Sequence, residues 1–318
     1  MRDGFVRALT ELAAADPKII LLTGDLGFGV LTDFAARFPG QYLNVGVAEQ
    51  NLAGLATGMA LEGRTVFTYS IANFPTLRCL EQIRNDACYH DANVKIVSVG
   101  CGMSYGPLGI SHHATEDISI MRALPNMTVV SPCDLWEACE ATKAIAARPG
   151  PALLRLDKSA APETVRDGEQ FLLGKARMIR DGSDVTLVAT GGILGEAIHA
   201  ASILESEGFS CRILSMHTIK PLDVESLSTA AHETMGIVTI EEHTVEGGLG
   251  GAVAEILLES GAVPRCFLRI GLRTGFSSVV GSQQYLRQVY GLDAHSIARA
   301  VSDRLCSAGV ERVMVAAV

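Results

Sequence analysis

Charge and aromatic side chains are scarce in this chain of 318 residues: 19% are charged and 5% are Phe, Trp or Tyr. So little charge beside 48% hydrophobic residues fits a chain that covers a large area against another subunit better than a free monomer. No apolar run reaches the roughly 18 residues that a membrane-spanning helix needs, so no membrane role is expected. The opening MRDGFVRALTEL lacks an apolar signal-peptide core and cleavage site, and a cytoplasmic location is expected. Positive charge is in deficit: 26 Lys and Arg against 35 Asp and Glu leave a net charge of −9. A nucleic-acid binder would show a basic face, so that class is set aside. A small anionic substrate stays open, because a few arginines in a cleft suffice. The eight cysteines form no CxxC pair and no Cys/His cluster at zinc spacing. They read as small core residues in a reducing compartment, and no metal ligand is assigned to the chain.

What is present is alternation. Helical spacing in FVRALTELAAAD precedes the short apolar run KIILLTGD; RTVFTYS, VKIVSVG, TVVSP and PALLRL follow, separated by helical segments, one of them around Leu77–Tyr89. Asp134 and Glu137 are spaced as a capping box for a helix from Leu135. Continuous apolar strands between helices mean a parallel sheet covered on both faces. DKSAAPETVRDGEQ is polar and turn-rich, as a linker would be. A second alternating series then runs through VTLVATG, CRILSMHTIKP, GIVTIEEH and CFLRIGL to a terminal helix opening at Asp293. The expectation is an α/β protein of two doubly wound domains with mainly parallel sheets, residues 1–162 and 184–318, joined by a linker over 163–183. A length of 318 residues suits two cores better than one.

The stretch NVGVAEQNLAGLATGMALEG, Asn44 to Gly63, puts the lone acid Glu49 at the head of a helix built from Ala, Gly, Leu and Met. Spacing alone reads this as a tightly packed helix whose dipole favours an N-terminal acid. The stretch also closely resembles the pyrimidine-binding domain of thiamine-diphosphate enzymes, the transketolases above all, with deoxyxylulose-phosphate synthase near. The resemblance extends over essentially the whole chain. It implies that Glu49 binds a ring nitrogen of the cofactor's aminopyrimidine and handles its proton, and that the small-residue helix packs against a twofold-related partner. In TYSIANFPTLRCLEQIRND, Phe74 falls where the family has an aromatic stacked on the pyrimidine. Ile71 and Leu77 make that pocket more aliphatic than usual, and Arg78, Glu81 and Gln82 read as interface or structural groups.

SYGPLGISHHATEDISIMRALPN resembles the family segment that carries a substrate-facing histidine. His112 matches it, His113 stands beside it where a Gln is common, and Thr115 reads as a helix N-cap. Leu108 replaces an acid that contacts a sugar hydroxyl in many transketolases, which puts the usual sugar preference in doubt. Arg2 and Arg155 match two arginines that hold the substrate's terminal phosphate, a task suited to bidentate guanidinium groups. Gly29 and Gly100 replace two further phosphate ligands, so the anionic tail is a phosphate held differently, a sulfonate or a carboxylate. Asp25 sits where the family places an acid near the cofactor and the subunit boundary. In IEEHTVEGGLGGAVAE, Gly247, Gly248, Gly250 and Gly251 do not make G-x-G-x-x-G; a tight turn into a helix accounts for them, and Glu242 and His243 read as structural or interface residues.

The G-D-G element of a diphosphate-binding domain is missing. The resemblance therefore implies half of an active site: a transketolase pyrimidine-binding domain plus C-terminal domain. This half needs a separate diphosphate-binding subunit that carries the magnesium ligands, in an α2β2 assembly. The expected activity is transfer of a two-carbon ketol unit between small anionic sugars. The alternatives are a thiamine enzyme acting on a 2-oxo acid, such as a dehydrogenase β subunit or deoxyxylulose-phosphate synthase, and a noncatalytic regulatory subunit of the same fold.

Overall fold

Strands without polar alternation need cover on both faces, and the fold supplies it. The computed structural model describes residues 1–273, 275–307 and 309. The first half runs α1 (Arg2–Ala15), β1 (Ile19–Thr23), α2 (Thr32–Arg37), β2 (Tyr42–Asn44), α3 (Glu49–Leu61), β3 (Thr65–Ile71), α4 (Leu80–Gln82), β4 (Val94–Val99), α5 (Asp117–Ala123), β5 (Thr128–Val130), α6 (Leu135–Ala147) and β6 (Ala152–Leu156). The second half runs β7 (Arg177–Arg180), β8 (Val185–Thr190), α7 (Leu194–Ser206), β9 (Cys211–Ser215), β10 (Thr218–Lys220), α8 (Val224–Glu233), β11 (Gly236–Thr244), α9 (Leu249–Glu259), β12 (Cys266–Leu272), α10 (Gln283–Val289) and α11 (Ala294–Ser307). Every residue of β1, β4, β6, β8 and β9 is buried, as strands covered by helices on both sides must be.

The larger sheet has the order β10-β5-β6-β4-β3-β1-β2 and the smaller one β12-β11-β8-β9-β7. All pairings are parallel except the two at the edges, β10 with β5 and β7 with β9. The first exception joins the halves. β10 comes from the second half yet completes the first sheet. β7 lies inside the stretch 163–183 expected as linker, so that stretch is not irregular throughout: it ends in an edge strand of the second sheet. Gly4 lets α1 lie against the start of α6, since a Cβ there would meet Leu135 O at 2.6 Å.

Local signals mostly act where they stand. Asp134 caps α6 by accepting from Glu137 N at 2.7 Å, and Asp293 accepts from His295 N and Ser296 N at the head of α11. Thr115, expected as the cap of α5, lies one residue too early; Glu116 holds that position without a side-chain cap bond, and the Thr115 hydroxyl donates to Glu116 Oε1. The helix expected over Leu77–Tyr89 begins only at Leu80, because a turn in which Leu77 N donates to Asn73 O takes up the preceding residues. It widens to a π-helix over Ile83–Cys88.

Three buried polar networks lock the halves together. Glu137 accepts from Cys133 N, from Ser215 Oγ of β9 and from Arg177 Nη1 of β7. Glu242 of β11 accepts from Met103 N, Gln283 Nε2 and Arg287 Nε. Arg155 of β6 pairs with Asp117 at 2.8 Å, and His243 and Glu241 of β11 close the cluster, His243 Nε2 at 3.9 Å from Asp117 Oδ1 and Nδ1 at 3.7 Å from Glu241 Oε2. Glu241 also accepts from Leu249 N and Gly250 N, which ties β11 to the first turn of α9. Among the described residues no helix is long and apolar enough to cross a membrane.

The last network carries opposed proton linkages. Burial pushes the Glu241 carboxyl up to about 7, against the pull of the two backbone N–H groups. The folded chain thus keeps a proton that the unfolded chain releases, and the contribution of Glu241 to stability falls as pH rises from about 4.5 to about 7. Burial lowers His243 to about 4, with Asp117 opposing. Here the unfolded chain binds the extra proton, and the His243 contribution rises with pH from about 4 to about 6.5. Glu241→Gln removes one of the two slopes. Its stability is expected to climb with pH through that window more steeply than the unsubstituted chain's, read as urea midpoint against pH; parallel profiles would contradict the assignment.

Candidate functional site

In open parallel sheets, ligands lie outside the carboxyl ends of the strands, and the chemistry-bearing side chains gather there. Asp25 follows β1, Asn44 ends β2 and leads to Glu49, Phe74 and Arg78 follow β3, Tyr105 and His112 follow β4, and Lys158 follows β6. Asn44 staples the first two loops: its Oδ1 accepts from Asp25 N and Gly46 N, and its Nδ2 donates to Asp25 Oδ1 at 2.9 Å. Asp25 is held at φ 60° and stays exposed, beside Gly24, whose Cβ position lies 3.9 Å from Glu49 Oε1.

Glu49 is the first residue of α3 and only 2% exposed. Its Oε2 accepts from Arg78 Nη1 at 2.8 Å. The same guanidinium lies over the Phe74 ring, 4.4 Å from its centroid. By sequence Arg78 reads as an interface or structural group; the fold makes it the bridge between the acid and the aromatic ring. The other edge of Phe74 meets the His112 ring at 5.2 Å, and His112 meets Tyr105 at 6.0 Å. His112 is half-buried, its Nδ1 2.9 Å from Ser111 Oγ. Burial, with His113 adding, holds its imidazole below the ordinary value, so it is neutral at pH 7 and able to accept or pass a proton.

Beyond Tyr105 the site carries charges of both signs. Lys158 Nζ sits 4.5 Å above the Tyr105 ring, and Arg2, Asp3, Tyr105, Asp157 and Lys158 line a cleft of about 150 Å³. Arg2 is 46% exposed, and its side chain meets only Asp3, at 3.2 Å. A carboxylate, an aromatic face, a neutral imidazole and a cleft carrying Arg2 and Lys158 therefore follow one another along the sheet end. Such a series can bind a planar heterocycle at one end and an anion at the other.

Two sequence-derived assignments land elsewhere. Arg155 is 2% exposed and spends its donors on Asp117, Ala114 O and Glu242 O. The reason is length: β6 runs to Leu156, so Arg155 is still inside the strand, and Lys158 is the first cation past its end. His113 is fully buried, with Nε2 3.3 Å from Gly106 O and its carbonyl accepting from Asn73 Nδ2; it supports the loop from inside. Sequence reasoning misses Lys158 and Tyr105, although a Lys two residues beyond a strand end is a usable signal. Gly100, read as a lost phosphate ligand, is needed for Tyr105: it has φ 87°, and a Cβ there would overlap the Tyr105 ring. Among the described residues no group of three His, Cys, Asp or Glu side chains is placed to hold a metal.

The fold and this site define a two-domain α/β protein with its candidate site at the strand ends of the first domain. Comparison with known proteins narrows this. The description "Transketolase, pyrimidine binding domain" matches residues 1–164, and "Transketolase, C-terminal domain" matches residues 174–297. An apulose-4-phosphate transketolase subunit of Phocaeicola vulgatus is 38% identical over 300 residues, covering 94% of this chain and 95% of that protein. A 6-deoxy-6-sulfo-D-fructose transketolase subunit of a Clostridium species is 38% identical over 304 residues, covering 95% and 94%. A solved structure described as a split gene transketolase, inactive beta4 tetramer, is 38% identical with a TM-score of 0.86, covering 96% of this chain and 97% of that one. The chain belongs to the transketolase family, and it corresponds to the family's pyrimidine-binding and C-terminal portions as found in split transketolase subunits.

Gly100→Ala is expected to destabilise the chain by about 1–3 kcal/mol through backbone strain and to turn Tyr105 out of its contact with His112. Thermal unfolding and a structure of the variant read both effects. An unshifted Tyr105 would contradict the role given to Gly100.

Proposed function

We propose that this chain is the pyrimidine-side subunit of a two-chain transketolase that moves a two-carbon ketol unit between anionic sugars. One observation carries the reading: the buried Glu49 carboxylate and the Phe74 ring face lie side by side at the sheet end, spanned by a single guanidinium. An acid at the head of a helix and a flat aromatic surface suit the ring half of thiamine diphosphate. When bound, that cofactor supplies the carbon nucleophile of ketol transfer. Glu49 would hold the aminopyrimidine nitrogen and its proton, Phe74 would stack on the ring, and Asp25 would border the cofactor. His112 would hold or pass a proton at the substrate. The diphosphate and Mg²⁺ would be held by a separate diphosphate-binding subunit, in an α2β2 assembly.

The anion end is reassigned. Arg2 and Lys158, both facing the cleft beside Tyr105, would draw the substrate's tail, while Arg155 and His113 would act as interior supports. The relatives named for apulose-4-phosphate and for 6-deoxy-6-sulfo-D-fructose support a phosphate or a sulfonate. All eight cysteines are unpaired, which suits a reducing, cytoplasmic setting.

The test is calorimetric binding of thiamine diphosphate with Mg²⁺, for this chain alone and with its diphosphate-binding partner, followed by ketol transfer from phosphorylated and sulfonated ketoses. Tight binding only with the partner is expected. Glu49→Ala in the assembled complex should lower ketol transfer at least about 100-fold, and Lys158→Ala should raise KM for an anionic donor more than it lowers kcat. Pyruvate turnover in place of ketol transfer would favour the 2-oxo-acid reading, and unchanged turnover in Glu49→Ala would remove the catalytic one.

A further inference from the structure

Arg78 occupies both surfaces that a planar ligand would use. Its Nη1 is bonded to Glu49 Oε2 at 2.8 Å, and its guanidinium carbon sits 4.4 Å from the Phe74 centroid, which is stacking distance. The two contacts are unequal in character. Glu49 is 2% exposed, whereas the Arg78 side chain is 47% exposed and projects from a turn before α4. A carboxylate withdrawn from water needs a partner, since a buried charge left alone is strongly destabilising. Arg78 supplies one from a side chain that is half in solvent, so it has room to move outward when a ligand takes its place at Glu49.

No second described cation pairs with Glu49. Phe74 also meets His112 in a T-shaped contact, and the ring face under Arg78 is the one beside Glu49. A heteroaromatic ring that lies on Phe74 and hydrogen-bonds with the Glu49 carboxyl group must displace the guanidinium from the ring and competes with it for the acid.

We propose that Arg78 is a gate on the ring-binding half of the site: in the free subunit it holds and orients the Glu49 carboxyl group, and it must leave the Phe74 face before a planar nitrogen heterocycle can enter. This inference rests on the reading of the Glu49–Phe74 pair as the aminopyrimidine site. Closure lowers apparent affinity by the fraction of time the gate is open. Cofactor loading is therefore coupled to breaking an ion pair within this chain, and the gate keeps the empty site from trapping unrelated flat molecules.

The experiment measures thiamine diphosphate affinity by calorimetry in the complex with the diphosphate-binding partner and Mg²⁺. The unsubstituted protein is compared with Arg78→Met, which keeps the apolar stem and loses the charge, and Arg78→Lys, which keeps the charge but not the flat fork. Assembly and circular dichroism spectra of each variant check folding. The gate predicts that Arg78→Met binds the cofactor at least about five-fold more tightly, that Arg78→Lys falls between, and that the Met-to-wild-type ratio shrinks as added salt screens the ion pair. Equal or weaker binding by Arg78→Met, with the unsubstituted complex binding normally, overturns the gate and leaves the functional reading standing. No binding by any of them in an assembled complex overturns the aminopyrimidine reading and the gate with it.

Discussion

The Asp117–Arg155 ion pair is the contact on which the placement of the site depends. Asp117 is fully buried and Arg155 is 2% exposed, at 2.8 Å from each other. Arg155 belongs to β6, Asp117 opens α5, and the remaining Arg155 donors take carbonyl oxygens from Ala114 and from Glu242 of β11. One guanidinium thus joins the first sheet, the loop carrying Tyr105 and His112, and the second domain. Loss of either partner would leave an uncompensated charge in the interior, a penalty of several kcal/mol, on the order of 3–5. Three carbonyl and carboxylate partners around one planar fork also specify an orientation that apolar packing would not.

The second domain works largely by support. β10 completes the first sheet beside β5, Glu242 accepts from Met103 N, and Gln283 Nε2 donates to both Asp157 and Glu242. The segments leaving β4 and β6 are thereby held from behind by β11 and α10. Side chains at the sheet end, Arg2, Tyr105, His112 and Lys158, can then remain partly exposed on a rigid base.

Much of the candidate site was legible because its residues follow strand ends directly. Glu49, Phe74 and His112 stand in turn-rich stretches just after apolar runs, and the fold brings the last two to 5.2 Å between ring centroids. Arg155 shows the opposite. Its sequence position suggests a ligand-facing cation, but it lies inside a strand buried on both faces, where Asp117 and two carbonyls take it, and Lys158 is left at the cleft. His113 differs from His112 by one place and is fully buried. Whether a side chain faces core or solvent is set by where a strand stops, and apolar periodicity locates that point only to within a few residues.

The order of strands and helices, the two α/β halves and the caps at Asp134 and Asp293 were determined by sequence alone, because hydrophobic period and capping chemistry act between near neighbours. Only the tertiary structure decided that β10 crosses into the first sheet, that the end of the supposed linker is an edge strand, that Arg78 bridges Glu49 and Phe74, and that Lys158 rather than Arg155 meets the cleft. Those are contacts between residues 29 to 139 positions apart or consequences of them. Their energy depends on distance, burial and direction in space, which a chain acquires only when its sheets have closed against each other.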